Sequence, residues 1–384
     1  MRSTSPCILV AALLVACGPI DTGNGSSALP ADAGPVWAGG GAPDGPDAGT
    51  PAPPGPGSPA TPTACEGIVP SSNPNPVSVT VPHQGGDACW YLTTDDQGDV
   101  AAEAHPSNGP PRWQLWSPSG SPLGSRTAGF DFFGQQSGFE GTHVESGSTF
   151  FARYSNAGAE LSRTLLGGSG CGGEAFLSAT SGALVLGGCA NGPLTASIFD
   201  ENGGLAVSKA VAPKRADAVG LVDAKGAALV VVWPGSAVGN SGKAAGRWFD
   251  ASLSPTTDWF ALPGNGDRPV LRPLANGGAA LQAGGSWVAT VGSGKGGWDP
   301  PPAWLASRSS TDFVVVRQGR AYALIAKSGS SSPRNRLELY TPEGEHCGAG
   351  TFPAEGLSLG PDGTVIGSGG EGGCQVTWWP AVLR

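Results

Sequence analysis

Residues 222–233 read VDAKGAALVVVW, and residues 246–255 read GRWFDASLSP. The first stretch is a polar turn closed by Gly226 that runs into an unbroken apolar segment; the second is a strand-like run ending in Phe249, just before another turn. An apolar run this short, bounded by turn formers, fits a strand covered on both faces. Both marks recur along the chain. The glycine turn returns at Gly98 (DDQGDVAAEA), Gly182 (SATSGALVLG), Gly277 (PLANGGAALQ), Gly319 (VVRQGRAYALIA) and Gly363 (LGPDGTVIGS). The strand-ending aromatic returns at Trp116, Tyr154, Phe199, Trp298, Tyr340 and Trp379. From Trp116 to Trp379 the successive spacings are 38, 45, 50, 49, 42 and 39 residues, a mean of about 44.

Each unit therefore reads strand, glycine turn, strand, loop, strand ending in an aromatic, turn, strand. Four antiparallel strands in a repeat of this length are the pattern of a β-propeller blade, and the aromatic marks predict seven of them. The expected fold is all-β, a propeller of seven four-stranded blades over residues 65–384. A pair of β-sandwich domains is the competing architecture, and it predicts alternation without a constant period. Two units are irregular. In the second, either Gly147 or Gly138 marks the turn; in the fifth, Asp299-Pro300-Pro301-Pro302 replaces a normal turn. After Trp379 only five residues remain, whereas PVSVTVP at 76–82 precedes the first unit. A strand at 77–81 is thus predicted to complete the last blade and close the ring, removing two open sheet edges. No window shows a capped helical period.

The N-terminus carries an address. One positive residue, Arg2, precedes the apolar run CILVAALLVA at 7–16. Ten residues make a helix of about 15 Å, half of what a bilayer core requires, so the run is a signal-peptide core and not a span. Leu14-Val15-Ala16-Cys17 at its end resembles the lipobox of bacterial lipoproteins. By that resemblance residues 1–16 are removed and Cys17 becomes the acylated first residue of the mature chain. The resemblance further implies anchoring in the outer membrane, on its periplasmic or its surface side, since Gly18 and not Asp follows the cysteine. Two or three acyl chains, at about 0.8 kcal/mol per buried methylene, make such an anchor effectively permanent.

Residues 18–64 hold 11 Gly, 11 Pro and 9 Ala, one Trp, and no Lys or Arg. This stretch has too little apolar surface to fold alone and reads, with Cys17, as a disordered tether over 17–64. A coil of 47 residues spans about 38 Å. The whole chain has 64 Gly and 36 Pro among 384 residues, yet also 12 Trp and 12 Phe, and eleven of those Trp fall after residue 64. Turn formers and bulky apolar residues together argue for many short strands. Net charge is -9 with six Lys, which disfavours nucleic acid and basic-patch membrane binding.

Apart from Cys7 and Cys17, six cysteines remain: Cys65, Cys89, Cys171, Cys189, Cys347 and Cys374. An even number in an exported chain predicts three disulfides. Fifteen pairings are possible, and pairing of sequence neighbours (65 with 89, 171 with 189, 347 with 374) is the expectation, each closing a loop within one repeat. A metal site is disfavoured, because there is no CxxC and the four histidines, His83, His105, His143 and His346, are scattered.

Catalytic and cofactor signatures are lacking. There is no HExxH. Residues 168–173 (GSGCGG) match GxGxxG on paper, but the strand-like run at 174–177 follows where a nucleotide site needs a helix. Lys295 in VGSGKGG lacks the Ser or Thr of a phosphate loop. The clusters Asp95-Asp96-Gln97-Gly98-Asp99 and Asp200-Glu201-Asn202-Gly203 lack calcium-loop spacing and read as turns. Most Trp residues sit at strand ends and read as core, while Trp304, after the proline run, is the candidate for an exposed ligand-face aromatic. The function expected is therefore that of a monomeric, lipid-anchored envelope protein whose propeller is a non-catalytic binding or scaffolding module for a protein or glycan. The alternative is an envelope enzyme acting on glycans through carboxylates gathered in the central channel.

Overall fold

The computed structural model describes residues 36–38, 65, 75–81, 92–104, 112–127, 132–135, 138–169, 171–178, 182–240, 244–263, 268–306, 312–316, 321–327, 334–354, 356–360, 362–369 and 374–380. They form seven small antiparallel sheets, the blades of a β-propeller. The first blade comprises Leu92–Thr94, Val100–Ala104, Arg112–Trp116 and Pro122–Thr127; the second comprises Phe132–Gln135, Gly138–Glu145, Ser148–Tyr154 and Glu160–Gly167. The third is built from Cys171–Leu177, Ala183–Cys189, Leu194–Phe199 and Leu205–Ala212, and the fourth from Asp217–Val222, Ala228–Trp233, Ala245–Phe249 and Phe260–Ala261. Val270–Pro273, Ala279–Ala283 and Ser286–Val291 make the fifth. Asp312–Val316, Ala321–Lys327, Arg334–Tyr340 and His346–Pro353 make the sixth. The last consists of Gly356–Leu359, Val365–Gly369 and Cys374–Trp379, with Val77–Val81 as its outer strand.

The predicted closure is therefore present. Val77 pairs with Trp378, Val79 with Val376 and Val81 with Cys374, so the chain's beginning and end share one sheet. Around the ring the inner strand of the first blade touches those of the second and the seventh, and the intervening blades follow in chain order. Seven hydrophobic clusters fill the seams between blades. This explains the run ALVVV at 228–232: its strand is central in its blade and covered on both faces, so alternation gives way to continuous apolarity.

Among the described residues the recurrent glycines lie one or two positions before the second strand of a blade, and Gly138, the first residue of that strand, takes the place in the second blade; Gly319 lies outside the described residues. At Gly182 the reason is steric as well as conformational. Its φ is +77°, and an added Cβ would lie 2.0 Å from the carbonyl oxygen of Phe199. The aromatic marks end the third strand in six blades. In the fifth the third strand ends at Val291, and Trp298 lies beyond it in the following segment. There Asp299 exchanges two backbone hydrogen bonds with Thr290. Pro300, Pro301 and Pro302 then offer no N–H, so a fourth strand cannot propagate. A single helical turn, Ala303–Ala306, packs against the edge of the third strand and buries Leu305 in the seam with the sixth blade.

Val36–Ala38, inside the stretch read as tether, forms a strand that pairs with Ala349–Thr351 and gives the sixth blade a fifth member. A blade's outer strand presents unpaired backbone groups, and even three residues of extended chain satisfy them. The signal segment and Cys17 lie outside the described residues.

Candidate functional site

Two disulfides join described residues, Cys171 to Cys189 and Cys65 to Cys347, and Cys374 is also disulfide-bonded. The first closes a hairpin within the third blade, as neighbour pairing predicts: the two cysteines face each other across adjacent strands. Pairing of Cys65 with Cys89 and of Cys347 with Cys374 is overturned by the bridge between Cys65 and Cys347, 282 positions apart. Ring closure brings the chain's N-terminal part beside its last two blades, and spatial proximity, not loop length, selects the partner. Cys89 lies outside the described residues.

The turn carboxylates are engaged in backbone work. In the first blade Asp95 Oδ1 accepts the amides of Gln97 and Asp99, both at 2.9 Å. Asp200, Asp223 and Asp250 each receive two amides of their own turns in the same way. These are Asx turns, in which the carboxylate replaces a backbone acceptor. They also link blades. Asp223 Oδ2 accepts the Gly278 amide at 2.8 Å, and Asn156 Nδ2 donates to Asp99 Oδ2 at 2.9 Å. Among the described residues, no group of three or more His, Cys, Asp or Glu side chains could hold a metal ion.

Two acids are buried beyond what turns require. Glu140, on the second strand of the second blade, is fully buried with neither carboxyl oxygen hydrogen-bonded. Burial pushes its pKa up to about 8, against the pull of Arg153 and with a further push from Asp200. Asp95 is fully buried as well and is pushed up to about 7, chiefly by burial, with Asp99 and Asp96 adding to it. Elsewhere, Glu174 on the inner strand of the third blade pairs with Arg268, just ahead of the inner strand of the fifth. This ion pair spans the fourth blade's sector of the ring, and both partners are about one-third exposed.

Trp304 is half-buried. Its ring stacks on Tyr322 and Tyr340 with centroids 4.9 and 5.4 Å away, and it covers Gly344 in the turn of the sixth blade. The structure thus uses this residue to fill the seam left by the missing fourth strand, not to furnish an open ligand face.

The rim of the second blade differs from the rest. Its outer strand, Glu160–Gly167, alternates, with Arg163 and Leu165 exposed and Thr164 half-buried. Arg126 of the first blade lies over the ring of Tyr154, 3.8 Å from its centroid, and pairs with Glu160 at 2.9 Å. Arg163 bridges Glu160 and Glu145 and covers the ring of Phe150. His143 stacks on that ring, and its Nδ1 lies 3.1 Å from the Tyr154 hydroxyl. Burial holds the His143 pKa below the usual range, and Arg163 and Arg126 push it further down; burial raises that of Tyr154. Among the described residues the exposed large apolar side chains are Val144, Leu161 and Leu165 of this blade and Leu205 on the outer strand of the third. Their exposure is 48 to 59%; Leu161 and Leu165 share the outer strand with the ion-paired Arg163, whereas Val144 lies on the opposite face of the sheet from Leu165, because their cross-strand partners Thr149 and Phe150 are consecutive. The sequence contained the signal, an alternating ELSRTL at 160–165, but only knowledge that no further strand covers it distinguishes a rim from a half-buried strand.

No protein-family profile matches the sequence, and no curated protein matches it significantly. Solved structures similar to it include BBS1N in complex with ARL6DN, at 13% identity over 80% of this chain and 97% of that one, TM-score 0.46. A chain of the mitotic checkpoint complex has 13% identity over 86% and 97%, TM-score 0.47, and TolB from Acinetobacter baumannii 10% over 81% and 98%, TM-score 0.40. At such identities and scores no partner or activity transfers to this chain; the propeller assignment stands on its own strand order and register.

Proposed function

We infer that the chain is a cell-envelope lipoprotein, acylated at Cys17 and anchored in the outer membrane, whose propeller is a non-catalytic module that docks a protein partner. The observation that carries the docking role is the outer strand of the second blade. Leu161 and Leu165 expose apolar surface there while Arg126, Arg163, Glu145 and Glu160 are held in place by ion pairs and ring contacts. Apolar contact area bordered by oriented charges suits a protein surface. A glycan platform needs exposed aromatic faces, and here Trp248, Trp378 and Trp379 are fully buried and Trp304 is stacked. The glycan-enzyme reading draws no support from the turn carboxylates, which serve the backbone. Disulfides at Cys65–Cys347 and Cys171–Cys189 fit an oxidising compartment. No helix of the described residues is long and apolar enough to cross a membrane.

Two experiments test this reading. A photo-crosslinking residue in place of Leu165 in cells is expected to give one dominant adduct that disappears when Leu161→Asp is added; no adduct, or one indifferent to that change, overturns rim docking. A Cys17→Ser chain is expected to remain unprocessed or to become soluble in the periplasm. If it is processed and stays with the membrane, acylation is not the anchor.

A further inference from the structure

Two separate bonds join the N-terminal arm to one strand of the sixth blade. Val36, Trp37 and Ala38 pair antiparallel with Thr351, Gly350 and Ala349. Cys65 is disulfide-bonded to Cys347, two positions before Ala349 on that strand. Without the arm, His346–Pro353 would be its blade's outer edge. The arm's chemistry suits strand pairing, for Val36-Trp37 is the one place in 18–64 where a β-branched residue adjoins an aromatic, the types that favour strands. Trp37 stands in register with Gly350, where the edge strand has no side chain of its own to contribute.

We propose that the arm is a strap, with a releasable latch at Val36–Ala38 and a covalent hinge at Cys65–Cys347, which closes the sixth-blade edge to strands of other molecules. A strand of three residues is weak by itself. The hinge compensates by keeping the latch near its edge: only 26 residues, 39–64, lie between Ala38 and Cys65. That gives an effective concentration on the order of millimolar. Release would therefore be local and reversible, and would expose a row of backbone donors and acceptors to a strand from a partner.

Hydrogen exchange on the full processed chain in nanodiscs, and on its soluble Cys17→Ser counterpart, provides the test. Trp37→Pro fixes φ and crowds the partner strand at the middle of the three-residue latch, outside the four strands that the repeat supplies to each blade. It is expected to raise exchange of outward amides in 346–353 at least tenfold while leaving 374–379 unchanged. Cys65→Ser with Cys347→Ser is expected to raise the same amides by a smaller factor, because the latch then loses its proximity. Unchanged exchange in both Trp37→Pro chains overturns the strap.

Discussion

Asp223 holds two blades together through Gly278. Its Oδ1 accepts the amides of Lys225 and Ala227 in its own turn, and its Oδ2 accepts the Gly278 amide, 55 positions away, at 2.8 Å. The Asp223 side chain and Gly278 are both buried, so the Gly278 amide would otherwise lack water as well as a partner. Asp223→Ala should lower stability by about 4.5 kcal/mol, from the loss of three hydrogen bonds at about 1.5 kcal/mol each. Asp223→Asn, which keeps an acceptor for the turn, should lose about half as much. Chemical denaturation of both variants checks the order.

Glu140 makes stability fall as pH rises. Its pKa of about 8 in the folded chain lies above the ordinary 4.5, so the unfolded chain releases its proton first. Stability from this group is therefore fully present below about pH 4.5 and declines between there and pH 8, by up to about 1.4 kcal/mol per unit. Glu140→Gln keeps the shape without the proton loss. Denaturation series at pH 5 and pH 9 should show the variant more stable than the parent only at the higher value.

Asp95 follows the same sign over a lower window, from 3.8 to about 7. Asn can take over its turn, because Oδ1 alone receives the Gln97 and Asp99 amides. Asp95→Asn should flatten the pH dependence between pH 4 and 7 without loss of fold, whereas Asp95→Ala should destabilise at every pH. Parallel melting curves for the two variants would contradict this.

The two described disulfides should differ in weight. Chain-entropy arithmetic for separations of 18 and 282 residues gives about 3 and about 5.5 kcal/mol. Replacing both cysteines of each pair by Ser, one pair at a time, and measuring unfolding by urea should preserve that order.

Trp304 and Gly344 should behave as packing residues. Gly344 has φ +94°, and a Cβ there would sit 2.4 Å from the Trp304 ring. Gly344→Ala and Trp304→Ala should each cost about 2 to 4 kcal/mol. Binding at the second-blade rim should be unaffected once the protein is folded. A Trp304→Ala protein of parental stability would contradict this placement.

The repeat was legible because each blade must solve the same local problem twice. The chain reverses at Gly182 or Gly226 where little but glycine suits the backbone, and an aromatic such as Phe199 or Trp379 then fills the widening seam. Where one blade solves it differently, local reading failed. Trp298 marks no strand end, because the proline run behind it diverts the chain into a helical turn. Val77–Val81 was legible as the closing strand for a related reason, a valine alternation with no sheet of its own nearby in sequence.

By itself the sequence determined the class of fold, the blade count and the turn role of its Asp-Gly clusters, because these follow from interactions within one repeat. The tertiary structure alone decided that Cys65 meets Cys347, that Val36–Ala38 completes the sixth blade, that Glu140 is sealed from water and that Leu161 and Leu165 are not. Each of those depends on which neighbours a closed ring brings together or leaves absent. Closure is a property of the whole chain, and no local spacing encodes it.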